Sequence, residues 1–326
     1  MILERIDRRN LRSSITLTVI ICAILFSLTS MQGFAVSNEK EIYVTARPEG
    51  RVLTPFFQFL SYKSLVRNLK EPRDIVCGPE GMLYLAETGK RRIISVDHEG
   101  NFQKVVVKDL ALIGDKSHRP VNMTFGPDGD LFFTTVEKEI WRLKDADPLN
   151  KPERLLKYNF FDPGESPSDI AFLKTGDYAN DLVMTVTTDR PYRGYVVRLT
   201  APDYKQVREF ISGYSIEEMG VRKDESLKIP TGITVKESGE IFVADRDIRE
   251  RHILQYSPDG SFQKVFIDGI VDPIDLDLDS EGNLYLTVGP MGEEVKGGSL
   301  KIFNRKGEQI QNLPRSGLWG VEVCDS

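Results

Sequence analysis

Apolar and polar positions alternate along this chain in short bursts that return at a nearly constant interval. Ile75-Val76-Cys77, Met123-Thr124-Phe125, Ile233-Thr234-Val235 and Leu276-Asp277-Leu278 each stand just after a Pro and an Asp, Asn or Gly. A turn then ends in Gly, as Pro-Glu-Gly, Pro-Asp-Gly, Glu-Ser-Gly or Ser-Glu-Gly, and a second apolar run follows: Met82 to Leu85, Leu131 to Phe133, Glu240 to Val243, Asn283 to Leu286. Period-two alternation on either side of a tight Gly turn predicts a β-hairpin. Third strands are predicted at Arg92–Val96, Glu139–Leu143, Tyr195–Leu199, His252–Tyr256 and Ser299–Phe303. A fourth follows another Gly turn, as in Gly260 to Phe266. A fifth copy of the phrase, Pro167 to Val186, carries a longer turn.

Four strands in each unit of about 45 residues is the signature of a propeller blade. The phrase starts at Pro72, Pro120, Pro167, Pro230 and Pro273, and Leu318-Trp319-Gly320-Val321-Glu322-Val323 repeats its first strand before the chain ends. The three strands missing from that last unit have candidates at Glu41–Thr45, Arg51–Thr54 and around Leu65-Val66. The expected fold is therefore all-β: a six-bladed β-propeller over 36–326, closed by N- and C-terminal strands in one shared blade. Closure of this kind pairs the edges that an open sheet would expose. The polar stretch Asp203 to Lys228 reads as a loop over one face.

Residues 1–35 read differently. Arg5, Arg8, Arg9 and Arg12 precede an apolar stretch from Ile15 to Leu28, and small residues lie near Ala35. That order predicts a secretory signal peptide cut after Ala35, or an uncleaved signal anchor over 15–35. The expected location is extracytoplasmic, secreted or periplasmic, with membrane contact only through this segment. Cys77 and Cys324 then remain, each near the end of a first strand in blades that closure makes neighbours. They could pair across the ring, or remain one buried thiol and one at the C-terminus. The 326 residues carry a net charge of −6, which argues against nucleic acid as a partner.

Candidate chemistry clusters where first strands begin, because these strands surround the axis of a propeller. Two residues after each phrase-opening Pro, and at the matching place in the sixth copy, stand Asp74, Asn122, Asp169, Gly232, Asp275 and Gly320; Asp277 and Glu322 fall further along the same faces. Carboxylates converging on an axis suit a hard cation such as Ca²⁺. The alternative is a set of Asx turns closed onto the local backbone, which leaves Asp277 and Glu322 needing other partners. Glu87 and Asp245, at the ends of second strands, are expected to make blade-to-blade hydrogen bonds or salt bridges. His98 and His252 are expected at the surface. Asn122-Met123-Thr124 fits a glycosylation sequon but falls on an inner strand.

Over residues 65–323 these repeats resemble NHL-repeat proteins and the regucalcin/gluconolactonase-like six-bladed propellers. A local resemblance to the quinoprotein glucose/sorbosone dehydrogenases rests on His118, Pro120 to Thr134 with its Gly126-Pro127-Asp128-Gly129 turn, and Ser166 to Phe172. The first resemblance implies ligand binding at the channel mouth, or a metal-dependent lactonase. In gluconolactonases the metal-holding Asn and Asp tend to follow Pro directly, where this chain has Arg73, Val121, Ser168, Thr231 and Ile274. The second implies a quinone- or Ca²⁺-dependent sugar oxidoreductase, with His118 as the base and Ca²⁺ or pyrroloquinoline quinone (PQQ) as cofactor. Arg246 and Arg251 are then the arginines that hold the quinone. The leading expectation is an exported propeller binding a small molecule or a protein at one face, with catalysis an alternative.

Overall fold

A computed structural model describes residues 40–56, 61–108, 118–156, 161–162, 164–188, 194–212, 227–246, 251–289, 298–315 and 317–325. The segment expected to be a signal or anchor, 1–35, lies outside the described residues. The rest forms six four-stranded sheets. Strands β4 (Pro72–Cys77) to β7 (Phe102–Val107) make blade 1, and β8 (Pro120–Phe125) to β11 (Glu153–Leu156) blade 2. Strands β12 (Glu165–Phe172) to β15 (Val207–Ile211) make blade 3, β16 (Pro230–Val235) to β19 (Phe262–Asp268) blade 4, and β20 (Pro273–Leu278) to β23 (Gln309–Pro314) blade 5. Blade 6 has the order β24 (Leu318–Asp325), β1 (Lys40–Ala46), β2 (Arg51–Phe56), β3 (Ser61–Val66). The chain ends thus share one sheet, as expected. The stretch expected to be only a loop, Asp203 to Lys228, in fact supplies β15, because blade 3 needs a fourth strand after its longer hairpin.

The second strands explain why their apolar runs are unbroken. In β5 (Leu83–Glu87), Leu83 and Leu85 pack toward blade 6 while Tyr84 and Ala86 pack toward blade 2. A strand buried on both faces loses the polar half of its alternation. The same logic gives six apolar clusters, one in each gap between adjacent blades. The hairpin glycines Gly81, Gly129, Gly239 and Gly282 all have φ between 71° and 96°, a conformation that disfavours a side chain.

Where the first strands begin, pairing with the second strand slips in blades 1 to 5, for example between Pro72 and Ile75. Such a bulge frees the residues after the Pro from the ladder and re-aims them. It turns the Asx residue two places on toward the axis, where the site lies.

Candidate functional site

The axial cavity holds about 240 Å³ and is lined by first-strand residues of all six blades. Asp74, Asp169 and Asp275 form its first tier; Thr124, Thr234, Asp277 and Glu322 form the next. Lys174 lies toward its rim and is paired with Glu237.

Each acid is held by backbone amides, most of them from the following blade. Asp74 accepts from its neighbour Ile75 (2.8 Å) and from Met123 of blade 2 (2.6 Å). Asp169 accepts from Ile170 and from Ile233 of blade 4, both at 2.8 Å, and from the Asn122 amide at 3.0 Å. Asp275 accepts from Leu276 and from Val321 of blade 6, both at 2.9 Å. Asp277 accepts from Val323 (2.8 Å) and the Thr234 hydroxyl (3.3 Å), while Glu322 accepts from Cys77 of blade 1 (2.9 Å). The reading of these oxygens as acceptors for the local backbone holds for one oxygen of Asp74, Asp169 and Asp275, which takes the amide of the very next residue, while the other oxygen reaches across the blade gap.

Blades 4 and 6 carry Gly in place of an acid for a steric reason. A Cβ on Gly232 would stand 2.5 Å from Leu276 Cδ2, and one on Gly320 would stand 2.8 Å from the Arg73 carbonyl oxygen. Threonines repeat the stitching one layer out. Thr88 donates to the Pro120 carbonyl, Thr185 to Thr231, Thr231 to Pro273, Thr287 to Trp319 and Thr45 to Arg73.

Burial dominates the electrostatics of the tier. Asp275, Asp277 and Glu322 stay accessible from the cavity yet lie deep within the ring. Desolvation, then repulsion among the acids, holds Asp74, Asp275 and Glu322 well above the ordinary carboxylate range. Asp169 and Asp277 are pushed up to about 6, again chiefly by burial, with their hydrogen bonds opposing the rise.

Of the six residues expected to hold a metal, Asp74, Asp169, Asp275, Asp277 and Glu322 line the cavity, and Asn122 donates to Asp169 from beside it. Among the described residues no three His, Cys, Asp or Glu side chains converge to hold a metal ion.

The oxidoreductase candidates stand apart from the cavity. His118 is buried, its Nδ1 2.9 Å from Glu139 Oε2 and its ring 5.5 Å from that of Trp141. Glu139 also accepts from Trp141 Nε1 and Arg154 Nη1. This network sits beside the third strand of blade 2, and His118 lines no part of the axial cavity. Arg246 and Arg251 face each other across the β17–β18 hairpin (Ile241–Arg246 and Arg251–Tyr256), with Arg246 paired to Asp272. Neither lines the cavity, so these three residues do not form a quinone site around it.

Glu87 forms the expected salt bridges, with Lys90 and Arg92, and Glu87 and Asp245 also hold the connection that enters their blade from the preceding one: Glu87 accepts from the Lys70 amide, Asp245 from those of Lys228 and Ile229. His252 is buried, not superficial, because the third strand on which it stands is covered. His98 is exposed beside Glu99.

Cys77 and Cys324 form a disulfide with Cα atoms 6.0 Å apart, joining the first strands of blades 1 and 6. The bridge locks the seam where the two chain ends meet, beside the Glu322–Cys77 hydrogen bond.

Solved structures share this fold. A chain in a nidogen/laminin complex matches with a TM-score of 0.65 at 12% identity, covering 87% of this chain and 98% of that one. The gluconolactonase XC5397 of Xanthomonas campestris matches with a TM-score of 0.57 at 14% identity, covering 86% and 87%. A regucalcin from Agrobacterium tumefaciens matches with a TM-score of 0.55 at 12% identity, covering 77% of both chains. The chain shares its fold with all three. No family model and no curated protein matches this chain.

Proposed function

We propose that this chain is an exported β-propeller that binds a small hydrogen-bond-donating ligand, an amine or a polyol, in its axial cavity. The observation that carries this reading is the concentration of five acids, two of them buried and three opening onto the cavity, around one hollow of about 240 Å³. Their backbone partners leave lone pairs facing inward, and mutual repulsion makes any incoming donor favourable. The volume lies below the ordinary range for drug-sized ligands, which limits the guest to a handful of heavy atoms. Export is supported by the signal-like residues 1–35 and by the Cys77–Cys324 bridge, since disulfides persist in oxidising compartments.

Thermal melts of the protein at pH 8 with a linear diamine, a monosaccharide or CaCl₂ test the proposal. A ligand that binds the folded state raises Tm. A diamine or sugar should raise it by several degrees, on the order of 1–2 kcal/mol of linkage, and Asp277→Asn should abolish the rise. A rise with CaCl₂ alone would replace this reading with a metal site. No rise with any of the three would sink it.

A further inference from the structure

The face where the first strands begin holds two guanidinium groups that form no ion pair among the described residues. Arg73 follows Pro72 in the bulge of blade 1, and Trp319 occupies the same repeat position in blade 6, one residue before Gly320. Closure of the ring makes these strands neighbours, and Arg47, just past β1, completes the corner. The Cζ atoms of Arg47 and Arg73 lie 4.8 Å and 5.5 Å from the centre of the Trp319 ring. A cation over an indole face is attracted to it, but the contact does not satisfy the N–H donors.

Among the described residues neither guanidinium forms an ion pair, and Arg73 Nε is buried without a hydrogen-bond partner. Burial, then the charges of Arg47 and Arg119, lowers the pKa of Arg73, with Glu71 opposing. Other arginines are matched: Arg119 to Glu137, Arg246 to Asp272, Arg92 to Glu87. Glu49, beside Arg47, is taken by Arg315 at 2.7 Å and by Arg51 at 3.8 Å. In a chain with net charge −6, two adjacent unpaired arginines are a cost to folding that local acids could have removed. Beside Arg47 lies a hollow of about 550 Å³, bounded by Arg47, Lys70, Leu69 and Trp319 and also by Glu49 and Glu71; Glu49 is neutralised by its arginine partners, and Arg73 stands behind Trp319 rather than in the lining.

We infer that this corner is a binding site for an oxyanion-bearing small molecule, its carboxylate, sulfate or phosphate group held by Arg47 and Arg73 and its body lying in the hollow against Trp319. Guanidinium forks match planar and tetrahedral oxyanions with paired hydrogen bonds, and the indole supplies a flat apolar wall. The hollow falls within the size range of small-molecule sites. Nothing in this inference depends on the axial cavity, which is lined by a different set of residues.

The chain has two tryptophans, so Trp319 fluorescence can be isolated in a full-length Trp141→Phe background. Inorganic phosphate, inorganic sulfate and glucuronate are titrated against chloride at matched ionic strength. At least one oxyanion should give a saturable change, and Arg73→Gln or Arg47→Gln should raise its half-saturation at least about tenfold. Arg208→Gln, at an exposed position of β15, should leave it unchanged. The arm that responds assigns the head group. Calorimetric titration of the wild type and of Arg73→Gln gives the same comparison if Trp141→Phe does not fold. No saturable response, an equal response to chloride, or a response that survives Arg73→Gln would overturn the inference.

Discussion

The axial tier and the Arg47–Arg73–Trp319 corner sit one residue apart in the same repeat, yet the fold treats them in opposite ways. Asp74, Asp169 and Asp275 point to the axis and meet amides of the next blade, so much of their hydrogen-bonding capacity is spent on holding blades together. Arg73, directly before Asp74, meets another arginine and an indole, and its donors are not spent. A charged residue near an axis is therefore weak testimony for a ligand until its local partners are counted. In the acidic tier the ligand must compete for what the amides leave. In the basic corner it would be the first partner.

The largest expected effect strikes the seam that both regions share. Reducing the Cys77–Cys324 bridge, or replacing both residues by Ser, frees a loop closed across 247 residues. Loss of about 2–5 kcal/mol is expected, read as a fall in the urea midpoint with little change in slope. An unchanged midpoint would mean that β24 is held by its hydrogen bonds and packing alone.

Next comes Asp74→Ala, which leaves the buried Met123 amide without its acceptor and separates blades 1 and 2 at the axis. A loss of about 1–3 kcal/mol at pH 7 is expected, partly offset by relief of repulsion among the acids. A gain in stability would show that repulsion outweighs the stitch.

A smaller effect follows from pH. Asp169 and Asp277 have folded pKa values of about 6, above the ordinary 3.8, so the folded state holds protons that the unfolded state has lost between those values. Their contribution to stability is thus complete below about pH 4 and is lost as pH rises through about 6. Asp277→Asn keeps an acceptor for Val323 and can donate to Thr234, so it should flatten that decline and melt on the order of 2–5 °C above the wild type at pH 8. Parallel pH profiles for the two proteins would contradict the assignment.

Arg73→Gln should be the mildest of the four. It removes an uncompensated, half-buried cation, so stability should stay within about 0.5 kcal/mol of wild type or rise slightly. A loss above about 2 kcal/mol in a chemical melt would show that the guanidinium already has a structural task, and would erase the contrast between the two regions.

Much of the fold was legible along the chain because a blade is a local object. Pro, Asx, alternating triplet and Gly turn are contiguous, so each hairpin announces itself. The shared sixth blade followed from counting strands, with Leu318 to Val323 at one end and Glu41 to Val66 at the other. The mid-strand acids Asp277 and Glu322 were marked as needing partners, and these are Val323, Thr234 and Cys77. The Arg47–Arg73–Trp319 corner was not legible. Its one trace was that Arg73 and Trp319 share a repeat position, which says nothing about unpaired donors. His118 shows the reverse hazard: a turn motif copied from another chemistry, with the imidazole itself buried against Glu139 and Trp141.

The sequence by itself determined the number of blades, the hairpin turns, the residues aimed at the axis and the need for glycine at tight φ. These rest on interactions between residues a few positions apart, which a linear pattern records. Closure of the ring decided the rest. It brought Cys77 to Cys324, set each acid against the amides of another blade, and left two arginines facing one indole, because partners tens or hundreds of residues apart meet only in three dimensions.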